Sequence, residues 1–166
     1  MADYRAKIQR QGQAVLQTGE SILATARAAV DGSPFAILGG LPAVLALSLS
    51  ERSDARAKGF PASGQMVLAV SDRRLLVFEL PVFRRPPKFR GEVPFEALEN
   101  VSLRGGLNPR FRFVLASGAE VTFTTYRLDH PEEFTRVLNR ARQTRAAAPS
   151  VAQSPSTPVV PPPPPL

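Results

Sequence analysis

The stretch from Met66 to Leu80 sets the terms on which this chain folds. Met66-Val67-Leu68-Ala69-Val70 and Leu75-Leu76-Val77-Phe78 are short runs rich in branched and aromatic side chains, parted only by Ser71-Asp72-Arg73-Arg74. That is the composition of two strands joined by a tight polar turn. Neither run alternates strictly between apolar and polar residues, so the chain on both sides of this hairpin must cover its two faces. The hairpin therefore belongs at the middle of a sheet.

The flanks supply the remaining strands. Ile22 to Ala29 is alanine-rich and helical by propensity, but the Asp31-Gly32-Ser33-Pro34 turn ends it and the hairpin needs a partner on this side, so it is expected to be the first strand. After the hairpin, the proline-punctuated basic loop Pro81 to Lys88 stops any strand. Phe89 to Val93 and Glu99 to Arg104 follow as strands, joined through Pro94-Phe95-Glu96-Ala97-Leu98. Arg110 to Ala116 and Glu120 to Tyr126 alternate polar with apolar residues around Ser117-Gly118-Ala119, a second hairpin with one buried and one wet face.

Two helices bracket the strands. Residues 4 to 18 have sparse apolar positions and suit a modest, weakly packed helix stopped by Gly19. Leu128-Asp129-His130-Pro131-Glu132-Glu133 reads as a polar cap, a first-turn proline and two acids at the positive end of a helix. Phe134, Val137, Leu138 and Ala141 then form one apolar stripe, with Arg136, Arg140, Arg142 and Arg145 expected to face out.

Phe35 to Leu49 is uncharged throughout, just short of the ~20 residues a membrane-crossing helix needs. A crossing would put the first strand and the central hairpin on opposite sides of a bilayer, where they could not share backbone hydrogen bonds. The segment is therefore expected to be an insertion buried against the domain, against a partner or at a membrane interface. Residues 51 to 64 read as a polar loop.

Eight of the 17 prolines fall from Pro149 onward, in a stretch with neither charge nor periodicity. The division that follows is a helix over 1–19, a domain over 20–145 with its insertion at 33–64, and a disordered proline-rich tail over 146–166. With no cysteine and a single histidine, disulfides, thiolate metal sites, cysteine nucleophiles and His-based sites are excluded or disfavoured. The net charge of +7 favours an acidic partner. No apolar core of signal-peptide type follows Met-Ala-Asp-Tyr-Arg-Ala-Lys, so a cytoplasmic location is expected.

Three motifs resemble those of bacterial pleckstrin-homology-like (PH-like) and GRAM-like domains. They are the Ser71-Asp72-Arg73-Arg74-Leu75 hairpin, the Val93-Pro94-Phe95-Glu96-Ala97-Leu98-Glu99-Asn100-Val101 connection and the Ser117-Gly118-Ala119-Glu120 turn, within a match over roughly residues 20 to 144. The resemblance implies an α+β fold: a seven-stranded antiparallel barrel or sandwich capped by one C-terminal amphipathic helix, here with an N-terminal helix and an apolar insertion between strands 1 and 2. No basic Lys-x-n-Arg-x-Arg signature ends the first strand, which speaks against specific phosphoinositide recognition.

Nothing in the sequence reads as an active site, and no cofactor or metal is expected. Asp72, Arg73 and Arg74 are read as solvated turn charges, His130 as a neighbour of a helix cap, and Glu132 and Glu133 as partners of the helix dipole. Gly105-Gly106 leads into a strand, unlike a phosphate-binding loop.

In an antiparallel meander, successive connections alternate ends. The first-to-second and third-to-fourth connections therefore share a rim, which would gather Phe35, Ile37, Leu38, Leu41 and Leu45 with the bases Arg52, Arg56, Lys58, Arg84, Arg85, Lys88 and Arg90. An apolar anchor with a basic flank suits peripheral attachment to an anionic inner-membrane surface. A protein-interaction adaptor or scaffold using the same rim and the proline-rich tail is the alternative, and a homo-oligomer contact through the insertion is also consistent with the pattern. Nucleic acid is disfavoured, because alternation sends Phe111 and Phe113 into the core.

Overall fold

The computed structural model describes residues 4–11, 14–30, 53–80, 86–106 and 109–147. Seven strands form one antiparallel sheet: β1 (Ile22–Val30), β2 (Gln65–Ser71), β3 (Arg74–Glu79), β4 (Lys88–Pro94), β5 (Leu98–Arg104), β6 (Arg110–Leu115) and β7 (Glu120–Thr125). Their order is β4-β3-β2-β1-β7-β6-β5, so every neighbour is consecutive in sequence except β1 and β7, which join the two halves of the sheet. The strand over 22–30 overrides its alanine-rich helical propensity because it hydrogen-bonds on both sides, to β2 and to β7.

One core fills the inner side of the sheet. Inward residues of all seven strands contribute, among them Ala28, Leu68, Val77, Val93, Val101, Phe113 and Phe123. The C-terminal helix, Pro131–Ala147, closes it with Phe134, Leu138 and Ala141, as the apolar stripe requires. One arginine of that helix departs from expectation. Arg142 is half-buried and turns back over β5, donating to the Leu98 carbonyl and, at 2.7 Å, to the Glu99 carbonyl, while Asn139 donates to the Val101 carbonyl at 3.2 Å. β5 is an end strand of the sheet, and the helix covers its unpaired carbonyls in place of a further strand.

The central hairpin is covered on both faces, as its unbroken apolarity demands. On the outer side Val67, Ala69, Leu76 and Phe78 form a second cluster with Ile22 and with Ile8 of the N-terminal helix (Tyr4–Gln11). That helix is shorter than expected and not weakly packed, since Ile8 is fully buried.

The β2–β3 turn fastens this cover; Asp72 and Arg73 are exposed, as expected of turn charges, but for Arg74 the reading of a solvated charge fails. Arg74 is 8% exposed and grips the Glu20 carboxylate with two hydrogen bonds, Nε to Oε1 at 2.9 Å and a terminal nitrogen to Oε2 at 2.8 Å. It also donates to the Val15 carbonyl at 2.9 Å and pairs with Glu92. Ser71 Oγ donates to Glu20 Oε1 at 2.6 Å, and Asp72 accepts from the Ser21 amide at 3.1 Å. Arg73 donates to Gln17 at 3.0 Å. The turn charges thus bind a segment some fifty residues earlier in the chain. Asp129, expected to cap the last helix, instead accepts from Arg27 Nε at 2.7 Å, and His130 sits in the left-handed region with φ of 49° before the helix begins.

Candidate functional site

The strand registers decide which connections meet. Ala29 faces Gln65, Met66 faces Glu79, and Glu79 faces Lys88, so the end of β1, the start of β2, the end of β3 and the start of β4 lie side by side. Two backbone bonds close this edge, from the Val30 amide to the Gly64 carbonyl at 3.2 Å and from the Leu80 amide to the Gln65 carbonyl at 2.9 Å. Val30 also faces Phe123 of β7, which brings the β6–β7 turn to the same rim. The Asp72-Arg73 turn and the β5–β6 connection lie at the opposite end.

Residues 53–64 do not form the polar loop expected of them. A helical stretch at 53–57 is followed by Phe60, which is 1% exposed and lies over the mouth of the core, its ring centroid 4.8 Å from that of Phe123 and 5.3 Å from that of Phe113. Ala55 and Ala62 are buried beside it, and the Phe60 amide donates to the Ala55 carbonyl at 3.0 Å. Pro61 continues across to β4, where a Cβ added at Gly91 would lie 2.8 Å from the Pro61 Cβ. The arm that brings the chain back from the insertion is therefore an anchor. Gly91→Ala should lower the unfolding free energy by about 1–3 kcal/mol, because a side chain is strained at the Gly91 φ of 155° and because the proline ring and the arm behind it must move. Urea unfolding of the two proteins measures it, and an unchanged midpoint would show that the arm yields freely.

The rim bases are mostly engaged where they can be described. Arg56 donates from Nε to the Ala62 carbonyl at 2.9 Å, Lys58 pairs with Asp54 at 2.6 Å, and Arg90 pairs with Glu79. Lys88 is exposed at the start of β4, two residues from Arg90. Arg52, Arg84 and Arg85, the apolar positions Phe35, Ile37, Leu38, Leu41 and Leu45, and the proline-rich tail lie outside the described residues. A groove of about 380 Å³ runs beside the rim between the returning arm and β7, lined by Val30, Asp54, Lys58, Glu120 and Phe123.

A larger groove, about 570 Å³, lies between the start of β5 and the C-terminal helix. Its lining includes Glu96, Glu99, Arg142 and Arg145. Burial pushes the Arg142 pKa down, with carbonyls rather than carboxylates as its partners. Among the described residues no three metal-ligating side chains gather, and no helix is long and apolar enough to cross a membrane.

Sequence reasoning missed Phe60 and Arg74. The only signal for the first was a lone aromatic between Gly59 and Pro61 in an otherwise polar stretch, and for the second that Arg74 opens an apolar run whose next residue, Leu75, is buried. Searched against models of known families and against curated proteins, the chain has no match in either.

Proposed function

We propose that the chain is a non-enzymatic binding module of PH-like architecture that attaches peripherally to an anionic inner-membrane surface through its rim. The observation that carries this reading is the register that sets the exits of 31–52 and 81–85 side by side, where Val30, Gln65, Glu79 and Lys88 meet. The strand order with one helix packed on the inner side supports the PH-like assignment. Phe60 and Pro61 hold the base of the insertion, so a load on the apolar segment is transmitted to the core rather than to a slack loop. The segment supplies Phe35, Ile37, Leu38, Leu41 and Leu45 as the anchor, and Arg52, Arg84, Arg85 and Lys88 supply the charge that Arg56, Lys58 and Arg90 spend largely within the protein.

Co-sedimentation with vesicles of phosphatidylcholine alone and of phosphatidylcholine with phosphatidylglycerol tests the reading. The chain should pellet with the anionic vesicles only. Replacing both Arg84 and Arg85 by glutamine should weaken that binding about 30-fold, at ~1 kcal/mol for each base near the surface. Equal recovery in the supernatant with both vesicle types would end the membrane reading. It would favour the adaptor reading, for which the internal pairing of Arg56, Lys58 and Arg90 already speaks.

A further inference from the structure

The groove of about 570 Å³ between the start of β5 and the C-terminal helix is neutral as a whole: two carboxylates, Glu96 and Glu99, stand against two guanidinium groups, Arg142 and Arg145. Its apolar lining is Phe95, Leu98 and Ala146. Asn139 and Arg142 are already engaged by the carbonyls of β5. The side-chain amides of Asn100 and Gln143 are not. Both are exposed on the groove and make no hydrogen bond among the described residues. The ligand that suits such a lining is uncharged, partly apolar and rich in carbonyl acceptors, whereas a strongly acidic or basic peptide finds no net attraction where the charges cancel.

The chain carries a segment of that chemistry close at hand. The C-terminal helix ends at Ala147, next to Ala146 in the groove lining, so residues 148–166 leave from the edge of the groove itself, and Pro149 stops the helix from running on. We propose that the groove takes the proline-rich segment of this same chain, residues 155–165, folded back from the end of the helix. That segment has no charged residue. Proline-rich sequence favours an extended backbone whose carbonyls have no internal partners, and amide donors set beside apolar contacts are a means of holding it. Val159 and Val160 supply the side chains for Phe95 and Leu98. The helix from Asn139 to Ala146 is about 10 Å long at ~1.5 Å per residue, a span that about four residues of a proline-type helix cover. A segment tethered by a short linker meets its site at an effective concentration on the order of millimolar, so an interaction too weak to retain a separate peptide is enough. Held there, the prolines are withheld from a second protein, which separates this inference from the adaptor reading, where they face outward.

The test is paramagnetic broadening of NMR signals in the full chain. The sequence has no cysteine, so Pro162→Cys provides a single attachment point for a nitroxide. In isotopically labelled protein bearing the nitroxide, the side-chain amide signals of Asn100 and Gln143 should lose most of their intensity, and regain it when the nitroxide is reduced. Those of Gln9, on the helix that roofs the other face of the sheet, should lose far less. Val159→Asp with Val160→Asp in the same nitroxide-bearing chain should abolish the selective loss while backbone signals of the seven strands stay in place. A mixture of isotopically labelled chain lacking the cysteine with unlabelled chain bearing the nitroxide should show no loss, since the contact lies within one molecule. Equal broadening of Gln9 and Gln143, a selective loss that survives the two aspartates, or a loss of the same size in the mixture, which would place the segment on a second copy, would overturn the proposal.

Discussion

Truncating Phe60 to alanine should cost about 3–5 kcal/mol of unfolding free energy, the range for deleting a buried phenyl ring. That is a large share of the total stability of an ordinary domain. Phe60 begins a run of aromatic contacts through the core: it meets Phe123 and Phe113, Phe113 lies 6.0 Å from Phe111, and Phe111 lies 5.1 Å from Phe134 on the C-terminal helix. Removing the first ring leaves a void open to the rim and releases the arm that bridges β7 and β4. Leu128, 65% exposed, is the matching control, and Leu128→Ala should stay within about 0.5 kcal/mol of the parent. Urea unfolding separates the two, and limited proteolysis adds a second reading. The Phe60→Ala protein should be cut within 53–64 under conditions in which the parent is resistant. A loss below about 1 kcal/mol would mean that Phe60 is seated but not anchoring.

What the sequence made legible follows from how local each signal is. The turns at Ser71–Arg74 and Ser117–Ala119 and the stripe Phe134–Ala141 are decided by residues within a few positions of one another; the β1–β7 junction, which leaves β4 and β5 at the two ends of the sheet, pairs distant segments and had no local signal. The double cover of the central hairpin was readable too, because unbroken apolarity on adjacent strands admits no wet face. Failures came where a residue's environment is set by chain far away. Arg74 looks like any turn arginine until Glu20, 54 residues earlier, is laid against it. Arg142 sits on the polar side of its helix by periodicity, yet it is drawn to carbonyls 43 and 44 residues away on an end strand that, among the described residues, pairs only with β6. Phe60 had no periodic context, since its partners Phe113 and Phe123 belong to the far half of the sheet. Of the candidate rim, the convergence of connections could be derived from alternation alone. The internal pairing of Arg56, Lys58 and Arg90 could not, because charge counts do not say which bases are already engaged.

Breaking the Glu20–Arg74 pair from one side should destabilise the fold by about 3–5 kcal/mol, because the partner left behind stays buried and charged. Burial alone would push the Glu20 carboxyl up. The hydrogen bonds from Arg74, Ser71 and the Gln17 amide, with the Arg74 charge, outweigh it and bring the pKa down to about 2 from 4.5. A carboxyl whose folded pKa is depressed stabilises the protein above its unfolded pKa and loses that contribution as pH falls toward the folded one. The Glu20 contribution, about 3 kcal/mol from the size of the shift, should thus be complete above pH ~5 and vanish between there and pH ~2. Unfolding free energies of the parent and of Glu20→Gln, measured from pH 7 downward, should differ most at pH 7 and converge across that window. Arg74→Met should be as damaging as Glu20→Gln at pH 7. The double variant should be less damaged than either single one, because the one charge it leaves without a partner, Glu92, is exposed rather than buried. Additive losses, or a gap between parent and Glu20→Gln that persists to pH 2, would show that the N-terminal cover is held by Ile8 and Leu16 on the apolar face and not by this ion pair.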